Sequence, residues 1–171
     1  MAGAGYDWLQ GSYWYVPPAY WPALQVVNAE TPQVRTLVDQ TVWFFQHSRA
    51  GYLVGTSATN IGAGWSYMLI VGSVVPGGAV KLSFSPLDSA GGGDAPPPTI
   101  GDGVLIEDDR GAAFLMQMTS GTTTMNVTHW AYMRAVTPAD PQWSSLPGYS
   151  DTGIPDLTGL QTPIAVAYGI A

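Results

Sequence analysis

The stretch from Trp65 to Val136 decides the fold, and its clearest part reads WSYMLIVGSVVPGGAVKLSFS over residues 65–85. Pro76-Gly77-Gly78 interrupts this run and is typical of a tight turn, with proline at the second position and glycine at the third. After the turn, positions 80, 82 and 84 are apolar and positions 81, 83 and 85 are polar. Such alternation is typical of a half-buried strand, so the sequence predicts an antiparallel hairpin here.

Further strands are predicted on both sides of this hairpin, because turn signals such as Asp108-Asp109-Arg110-Gly111 and Ser120-Gly121 separate apolar runs. The full set of expected strands is Leu9–Val16, Thr41–Arg49, Tyr52–Thr59, Trp65–Val75, Ala79–Ser85, Val104–Asp108, Ala112–Thr119 and Thr124–Val136. The sequence leaves two alternatives open in the next segment: Thr31-Pro32 starts a short helix, or Val34–Val38 forms a strand. A meander of this kind closes most readily into a barrel, since closure removes exposed edges. We therefore expect an all-β, up-and-down antiparallel barrel of about eight to ten strands.

The 171 residues are expected to form a single domain, residues 1–171, with two segments that break the strand pattern. Residues 87–103 contain three consecutive glycines and three consecutive prolines. This composition indicates either a flap over the barrel mouth or a disordered connection. Residues 137–171 are expected to wrap the outside of the barrel. Within them, Ile164–Ile170 is expected as a late strand that closes the sheet or pairs with another subunit.

The composition limits the partners that the protein can have. Hydrophobic residues make up 46% of the chain and charged residues only 10%, well below the usual quarter. So few charges leave apolar surface for a second subunit or a ligand to cover, which predicts a homo-oligomer. The net charge of −7, with only five basic residues, argues against binding to nucleic acid or to anionic membranes.

The cysteine and histidine content bears on metal sites, and the apolar runs bear on the location of the protein. There are no cysteines and two histidines, which excludes disulfides and thiolate metal sites, so we expect no metal and no cofactor. The first residues lack the basic and long apolar regions of a secretion signal. No apolar run approaches the roughly 20 residues of a membrane span. We therefore expect a soluble cytoplasmic protein.

His129 is the first candidate for chemistry, because strand alternation predicts that it points into the barrel. It shares a face with the apolar residues Val127, Ala131 and Met133, and the preceding strand carries the matching set Phe114, Met116 and Met118. A histidine in an apolar barrel can act as a general acid or base near neutral pH. The alternative is a core histidine whose hydrogen-bonding needs are met by a single partner.

The second candidate group lies on the first strands. His47 shares a face with Trp43 and Phe45 by simple alternation, but both faces of this strand are apolar, so the pattern does not decide which points inward. Tyr13 and Tyr15 must point the same way. On an inner wall they would bind a carboxylate or phenolate, whereas on the outside they would be packing residues. Arg49, at a strand end, is either an anion clamp or a solvated turn residue.

The run Leu9-Gln10-Gly11-Ser12-Tyr13-Trp14-Tyr15 resembles the opening strand of calycin barrels, the lipocalin and avidin type. In those proteins a glycine precedes a tryptophan that plugs one barrel end, and Arg134 resembles the basic residue that lipocalins pack over it. A second similarity is to phenolic acid decarboxylases, small cofactor-free enzymes with a lipocalin-like barrel. It covers Gly11–Trp21, Asp39–Gly55 and Gly78–Pro86.

The decarboxylase resemblance implies roles for some residues and not for others. Tyr13 and Tyr15 match the substrate-binding Tyr-x-Tyr pair of that family, and Arg49 lies near the place of its arginine. The catalytic glutamate of the family has no counterpart, so the family's decarboxylation is not implied. What the resemblance implies is a barrel cavity suited to a small aromatic or otherwise apolar molecule.

These observations lead to a functional expectation with two alternatives. We expect a cofactor-independent enzyme of the proton-transfer, elimination, lyase, isomerase or cyclisation type, acting on a hydrophobic or aromatic molecule inside the barrel. The expected catalytic residues are His129, His47 and Tyr15, and the expected substrate-binding residues are Tyr13, Arg49, Phe114, Met116, Met118 and Trp43. The alternatives are a lipocalin-like carrier without catalysis and a structural module whose barrel is filled by side chains.

Overall fold

A computed structural model describes residues 5–20, 22–27, 31, 33–60, 65–87, 98–121 and 125–146. Its strands are β1 (Tyr13–Tyr15), β2 (Pro22–Val27), β3 (Gln33–Val38), β4 (Gln40–Arg49), β5 (Tyr52–Asn60), β6 (Trp65–Val74), β7 (Ala79–Pro86), β8 (Thr99–Asp108), β9 (Gly111–Gly121) and β10 (Met125–Val136). Three short 3₁₀ helices span Tyr6–Leu9, Pro18–Tyr20 and Trp143–Ser145, and no α-helix occurs within the described ranges.

Eight of these strands close an antiparallel barrel in the order β1-β4-β5-β6-β7-β8-β9-β10. Strand β1 completes the closure, because Trp14 pairs with Trp43 of β4 on one side and with Ala135 of β10 on the other. The β2–β3 hairpin extends this wall, since β2 pairs with the first residues of β10 and β3 lies at the edge of the sheet. The predicted all-β, antiparallel, up-and-down barrel is therefore confirmed.

Several predicted boundaries differ from the structure. Leu9 belongs to a 3₁₀ helix instead of β1, because Gly11 turns the chain with a φ of 77° before the strand begins. Of the helix and the strand that the sequence left open in this region, the strand is observed, as β3. Strand β8 starts at Thr99, so residues 99–103, predicted as loop, are strand. Residues 88–97 and the predicted strand Ile164–Ile170 lie outside the described residues.

The glycines of β8 that suggested a loop have a packing role in the barrel. Gly101 and Gly103 lie opposite Met118 and Met116 of β9, both of which point into the interior. A Cβ atom at Gly101 would lie 2.7 Å from the sulfur of Met118, and one at Gly103 would lie 2.6 Å from the sulfur of Met116. The absence of side chains on one strand therefore leaves room for the long methionines of the next, which suits the narrow interior of an eight-stranded barrel.

Aromatic rings fill the middle of the barrel. The buried rings belong to Trp14, Trp43, Phe45, Phe84 and Phe114. Phe114 of β9 lies 4.5 Å from the ring of Trp14 and 5.8 Å from that of Trp43, and Trp43 lies 5.4 Å from Phe84 of β7. Because these strands belong to different sides of the barrel, the rings meet across its interior. The centre of the barrel is therefore packed with aromatic side chains.

Candidate active site

The two ends of the barrel are built differently. At the capped end, tight turns join β4 to β5, β6 to β7 and β8 to β9, and the 3₁₀ helix Tyr6–Leu9 lies against β4. The Ser48 hydroxyl donates to the Tyr6 carbonyl oxygen at 2.6 Å, which fastens this helix to the barrel. At the other end, called the loop end here, β5 leads to β6, β7 to β8 and β9 to β10.

A polar cluster of Asp39, Thr41, Ser57, Thr59 and His129 lies toward the loop end. His129 Nε2 is 2.7 Å from Asp39 Oδ2, with side chains that are 12% and 3% exposed. The Thr41 hydroxyl donates to Asp39 Oδ1 at 2.5 Å and lies 3.1 Å from the Thr59 hydroxyl, which in turn lies 3.1 Å from that of Ser57. A connected hydrogen-bond network of this kind holds the carboxylate in one orientation.

His129 and Asp39 come from separate parts of the barrel. His129 lies opposite Met118, so it faces the interior as predicted, together with Met116 and Phe114 on β9. Asp39 occupies the break between β3 and β4, and Thr41 follows two residues later on β4. The carboxylate and the imidazole meet although β1 separates β4 from β10 and β2 separates β3 from β10 in the sheet order. Sequence reasoning missed Asp39 as a site residue, because its partner is remote in the chain.

The contacts of His129 indicate the tautomer of its neutral imidazole. Asp39 accepts at both of its carboxylate oxygens, so Nε2 of the imidazole carries the hydrogen that faces it. Nδ1 is buried and has no hydrogen-bond partner. In the neutral imidazole this nitrogen is then the unprotonated one, with a free lone pair. The geometry therefore leaves the basic nitrogen of His129 available within the barrel.

Trp43 provides a second unpartnered nitrogen in the interior. It is the next inward residue of β4 after Thr41, and its indole Nε1 is buried without a hydrogen-bond partner. Buried polar groups normally have partners. Thr56 Oγ1 and Gln46 Nε2 are also buried and unpartnered, but Thr56 pairs with Phe44, whose ring stacks on Tyr13 outside the barrel. Among the described residues, the side chains that face the interior near the polar cluster include an unpartnered acceptor, His129 Nδ1, and an unpartnered donor, Trp43 Nε1.

The expected roles of Tyr13 and Tyr15 inside the barrel are wrong, because both side chains lie on its outer face. Tyr13 stacks on Phe44 at 4.4 Å and meets Trp143 edge-on at 5.2 Å. Both tyrosines pack in an outer cluster with Val42, Val136 and Leu146. Trp14 between them takes the inward position, which forces its two neighbours outward.

The same outer cluster bears on the predicted wrapping segment. Trp143 and Leu146 pack against Val42 and Val136 on the outside of the barrel. Trp143 and Leu146 therefore cover this patch of the outer wall. Residues 147–171, the remainder of that predicted segment, lie outside the described residues.

The expectation that His47 shares a face with Trp43 and Phe45 is wrong because of a β-bulge. The β4–β5 register shifts between Phe45 and His47, which leaves Gln46 as the extra residue. After the bulge, Ser48 lies opposite the fully buried Leu53, and His47 lies opposite Val54. His47 therefore points away from the core and cannot join His129.

The other predicted binding residues are dispersed. Arg49 is exposed at the capped end, where β4 turns into β5, so it lies far along the barrel from the polar cluster. Trp43 and Phe114 belong to the packed aromatic core. Met116 and Met118 line the interior, and Met118 lies directly opposite His129. Of the nine predicted site residues, the structure brings together His129, Met118, Met116, Trp43 and Phe114.

Arg134 also differs from expectation, because it does not lie over Trp14. Its guanidinium donates to both carboxylate oxygens of Asp108 at 2.8 and 2.5 Å and to the Gly111 carbonyl at 2.9 Å. It lies 5.0 Å from the ring centre of Tyr132, two residues away on the same outer face. This bidentate pair fastens the β8–β9 hairpin to β10 on the outside of the barrel.

This ion pair predicts a dependence of stability on pH. The Arg134 hydrogen bond, helped by the Arg110 backbone N–H, holds the pKa of Asp108 below its ordinary value. A carboxyl with a lowered pKa in the folded state stabilises that state above its ordinary pKa, and this contribution is lost as pH falls through the lowered value. We expect Asp108→Asn to lower the urea midpoint at neutral pH and to match the wild type in strong acid. Asp109→Asn, in the same turn, is the control, and an equal loss there would contradict the assignment.

Comparisons complete the description of the site. No group of three or more potential metal ligands occurs in the part of the chain that the structure describes. Within the same ranges, no helix has the length and apolarity needed to cross a membrane. Searches against protein-family models, curated proteins and solved structures find no match. The chemistry of the His129–Asp39 site therefore has to follow from the positions of its own residues.

Proposed function

We propose that the protein is a cofactor-independent enzyme that transfers a proton on a small hydrophobic or aromatic molecule bound inside the barrel. The observation that carries this proposal is the buried His129–Asp39 pair, 2.7 Å apart, whose free Nδ1 faces no protein partner. A carboxylate in this position orients the imidazole and stabilises the imidazolium that forms when His129 takes a proton. His129 is the proposed base, and Asp39 is its positioning residue.

The indole N–H of Trp43 supports the same reaction as a hydrogen-bond donor to the substrate. In the proposed step, Nδ1 takes a proton from a carbon next to a carbonyl group of the substrate, and the electron pair of that C–H bond moves onto the carbonyl oxygen. The buried Trp43 Nε1–H, which has no partner in the protein, would donate to that oxygen. Return of the proton from His129 to a different carbon completes an isomerisation, and loss of a leaving group instead completes an elimination.

The packing of the interior supports a small substrate. Aromatic rings occupy the middle of the barrel, so a ligand is confined to the loop end beside His129. Met118 lies opposite both His129 and Gly101, and Met116 lies opposite Gly103. Methionine side chains are flexible and polarisable, and they can move aside to contact an apolar ligand.

The fold supports one part of the family resemblance and not the other. The closed eight-stranded antiparallel barrel, with the buried Trp14 beside the helix that caps one end, is compatible with a calycin-like fold. We propose that fold family for the chain. The similarity to phenolic acid decarboxylases supports only the class of ligand, because Tyr13 and Tyr15 pack outside the barrel.

A carrier without catalysis is the second candidate. The apolar, methionine-lined interior favours it, since sequestration of an apolar molecule needs no base. The buried carboxylate that orients His129 favours the enzyme, because a carrier gains nothing from an aligned base. The expected homo-oligomer remains a prediction; in it, exposed outer side chains such as Leu115 and Trp130 would be covered.

Native mass spectrometry of the protein purified from its own host tests the proposal. We expect the full chain to retain a small apolar molecule, and we expect that compound or its close analogues to be converted when incubated with the protein. A molecule that is retained but never converted would favour the carrier. Failure to retain or bind any molecule would favour a structural module and contradict the proposal.

A further inference from the structure

A concave site lies at the capped end of the barrel. It is an open groove of about 440 Å³ lined by Tyr6, Trp8, Leu105, Ile106, Glu107 and Ala112. Glu107 pairs with Ala112 beside the β8–β9 turn, whereas His129 lies toward the loop end. The groove is therefore separate from the proposed active site, and the inference drawn from it does not depend on the proposed function.

The aromatic wall of the groove is fixed in place. The Tyr6 hydroxyl donates to the Val75 carbonyl oxygen at 3.2 Å, and the Ala50 amide donates to Asp7 at 3.1 Å. Trp8 contacts the buried Trp14, with ring centres 6.3 Å apart, and yet is 53% exposed. A large aromatic ring held on a rigid segment and left exposed is preorganised to receive a ligand on its free face.

Glu107 supplies the opposite wall with a negative charge. It lies two residues after Leu105, which pairs with the core residue Phe114, so Glu107 continues the inward-facing row at the end of the barrel. The neighbouring carboxylate of Asp108 is occupied by Arg134. Glu107 is therefore the carboxylate that the groove offers to a ligand, in a chain with a net charge of −7.

We propose that this groove binds a methylated or quaternary ammonium group. Aromatic faces attract cations, and tryptophan does so most strongly. The Glu107 carboxylate complements the positive charge, and Leu105, Ile106 and Ala112 contact the methyl groups. An anion would be repelled by Glu107 and by the net charge, and a neutral apolar ligand would remove water from the carboxylate without replacing it.

Choline and 3,3-dimethyl-1-butanol form a matched pair of probes, because the second replaces the charged nitrogen with carbon and keeps the shape. Each is titrated into the full chain, and binding is followed by NMR from the methyl signal of the probe, which can be read in every variant. We expect choline to bind in the millimolar range and about tenfold more tightly than the alcohol. Equal binding of the two probes, or no binding of either, would overturn the proposal.

Substitutions in the groove test whether Trp8 and Glu107 bind the cation. We expect Glu107→Gln, an isosteric change at an exposed position, to remove most of the preference for choline, and Trp8→Leu to abolish binding. Trp130→Leu is the control, because Trp130 is 70% exposed on the outer wall, away from the groove. Choline affinity that survives in both Trp8→Leu and Glu107→Gln would place the cation elsewhere and refute the assignment.

Discussion

Phe114→Ala is expected to lower the free energy of unfolding by about 3–5 kcal/mol, the usual cost of a cavity left by a buried phenylalanine. Phe114 is fully buried and lies 4.5 Å from Trp14, 5.7 Å from Phe45 and 5.8 Å from Trp43. The three neighbouring rings lie on β1 and β4, whose backbones are held by sheet pairing, so they cannot collapse fully into the space that the missing ring leaves. Urea denaturation followed by tryptophan fluorescence measures the loss.

Leu115→Ala is the matched control for this prediction. Leu115 is the next residue of the same strand, but its side chain is 38% exposed on the outer wall. Its truncation is expected to cost about 1 kcal/mol or less, because little apolar surface returns to water. Similar losses in the two variants would mean that the ring cluster does not hold the barrel together.

The second large effect is expected on catalysis. With the compound identified by mass spectrometry as substrate, His129→Gln is expected to lower kcat by about 10²- to 10⁴-fold, the range that a positioned acid or base contributes. Asp39→Asn is expected to lower kcat as well, because an amide can turn its NH₂ group toward Nε2 and so favour the wrong tautomer. KM should change far less in both variants, since neither side chain provides the apolar contacts.

His47→Gln is the control for these rates, because it changes the other histidine of the chain, which lies outside the core. Its turnover should equal that of the wild type. If His129→Gln also kept the wild-type rate, His129 would be a core histidine held by Asp39, and the catalytic assignment would be lost. Circular dichroism of each variant checks that the barrel is intact.

The sequence was sufficient where alternation is unbroken and one face is clearly apolar. On β9 and β10, Met116 and Met118 face inward with Ala131 and Met133, so the inward direction of His129 followed directly from the pattern. It was not sufficient on β4, where both faces are buried and the bulge at Gln46 shifts the alternation by one residue. A bulge depends on pairing with β5, which single-strand periodicity does not contain.

Long-range pairing also limited the prediction of the site itself. Asp39 and His129 lie on segments that are remote in the chain, and the described sheet brings them within 2.7 Å. The first strand was ambiguous for a similar reason, because Tyr13-Trp14-Tyr15 is aromatic throughout and alternation alone cannot say which side faces the core. Packing of Trp14 against Phe114 decides it.

Closure through β1 has a consequence for how the protein is made. Tyr13 pairs with Val136 and Tyr15 with Arg134, so the last pairing needed to seal the barrel joins its earliest and latest strands. During synthesis on the ribosome, β1 therefore waits for nearly the whole barrel sequence to emerge before its second partner is present. Contacts of this separation slow folding and leave strand edges open to other nascent chains in the interval. Efficient production should thus depend on how quickly the chain between β1 and β10 leaves the exit tunnel.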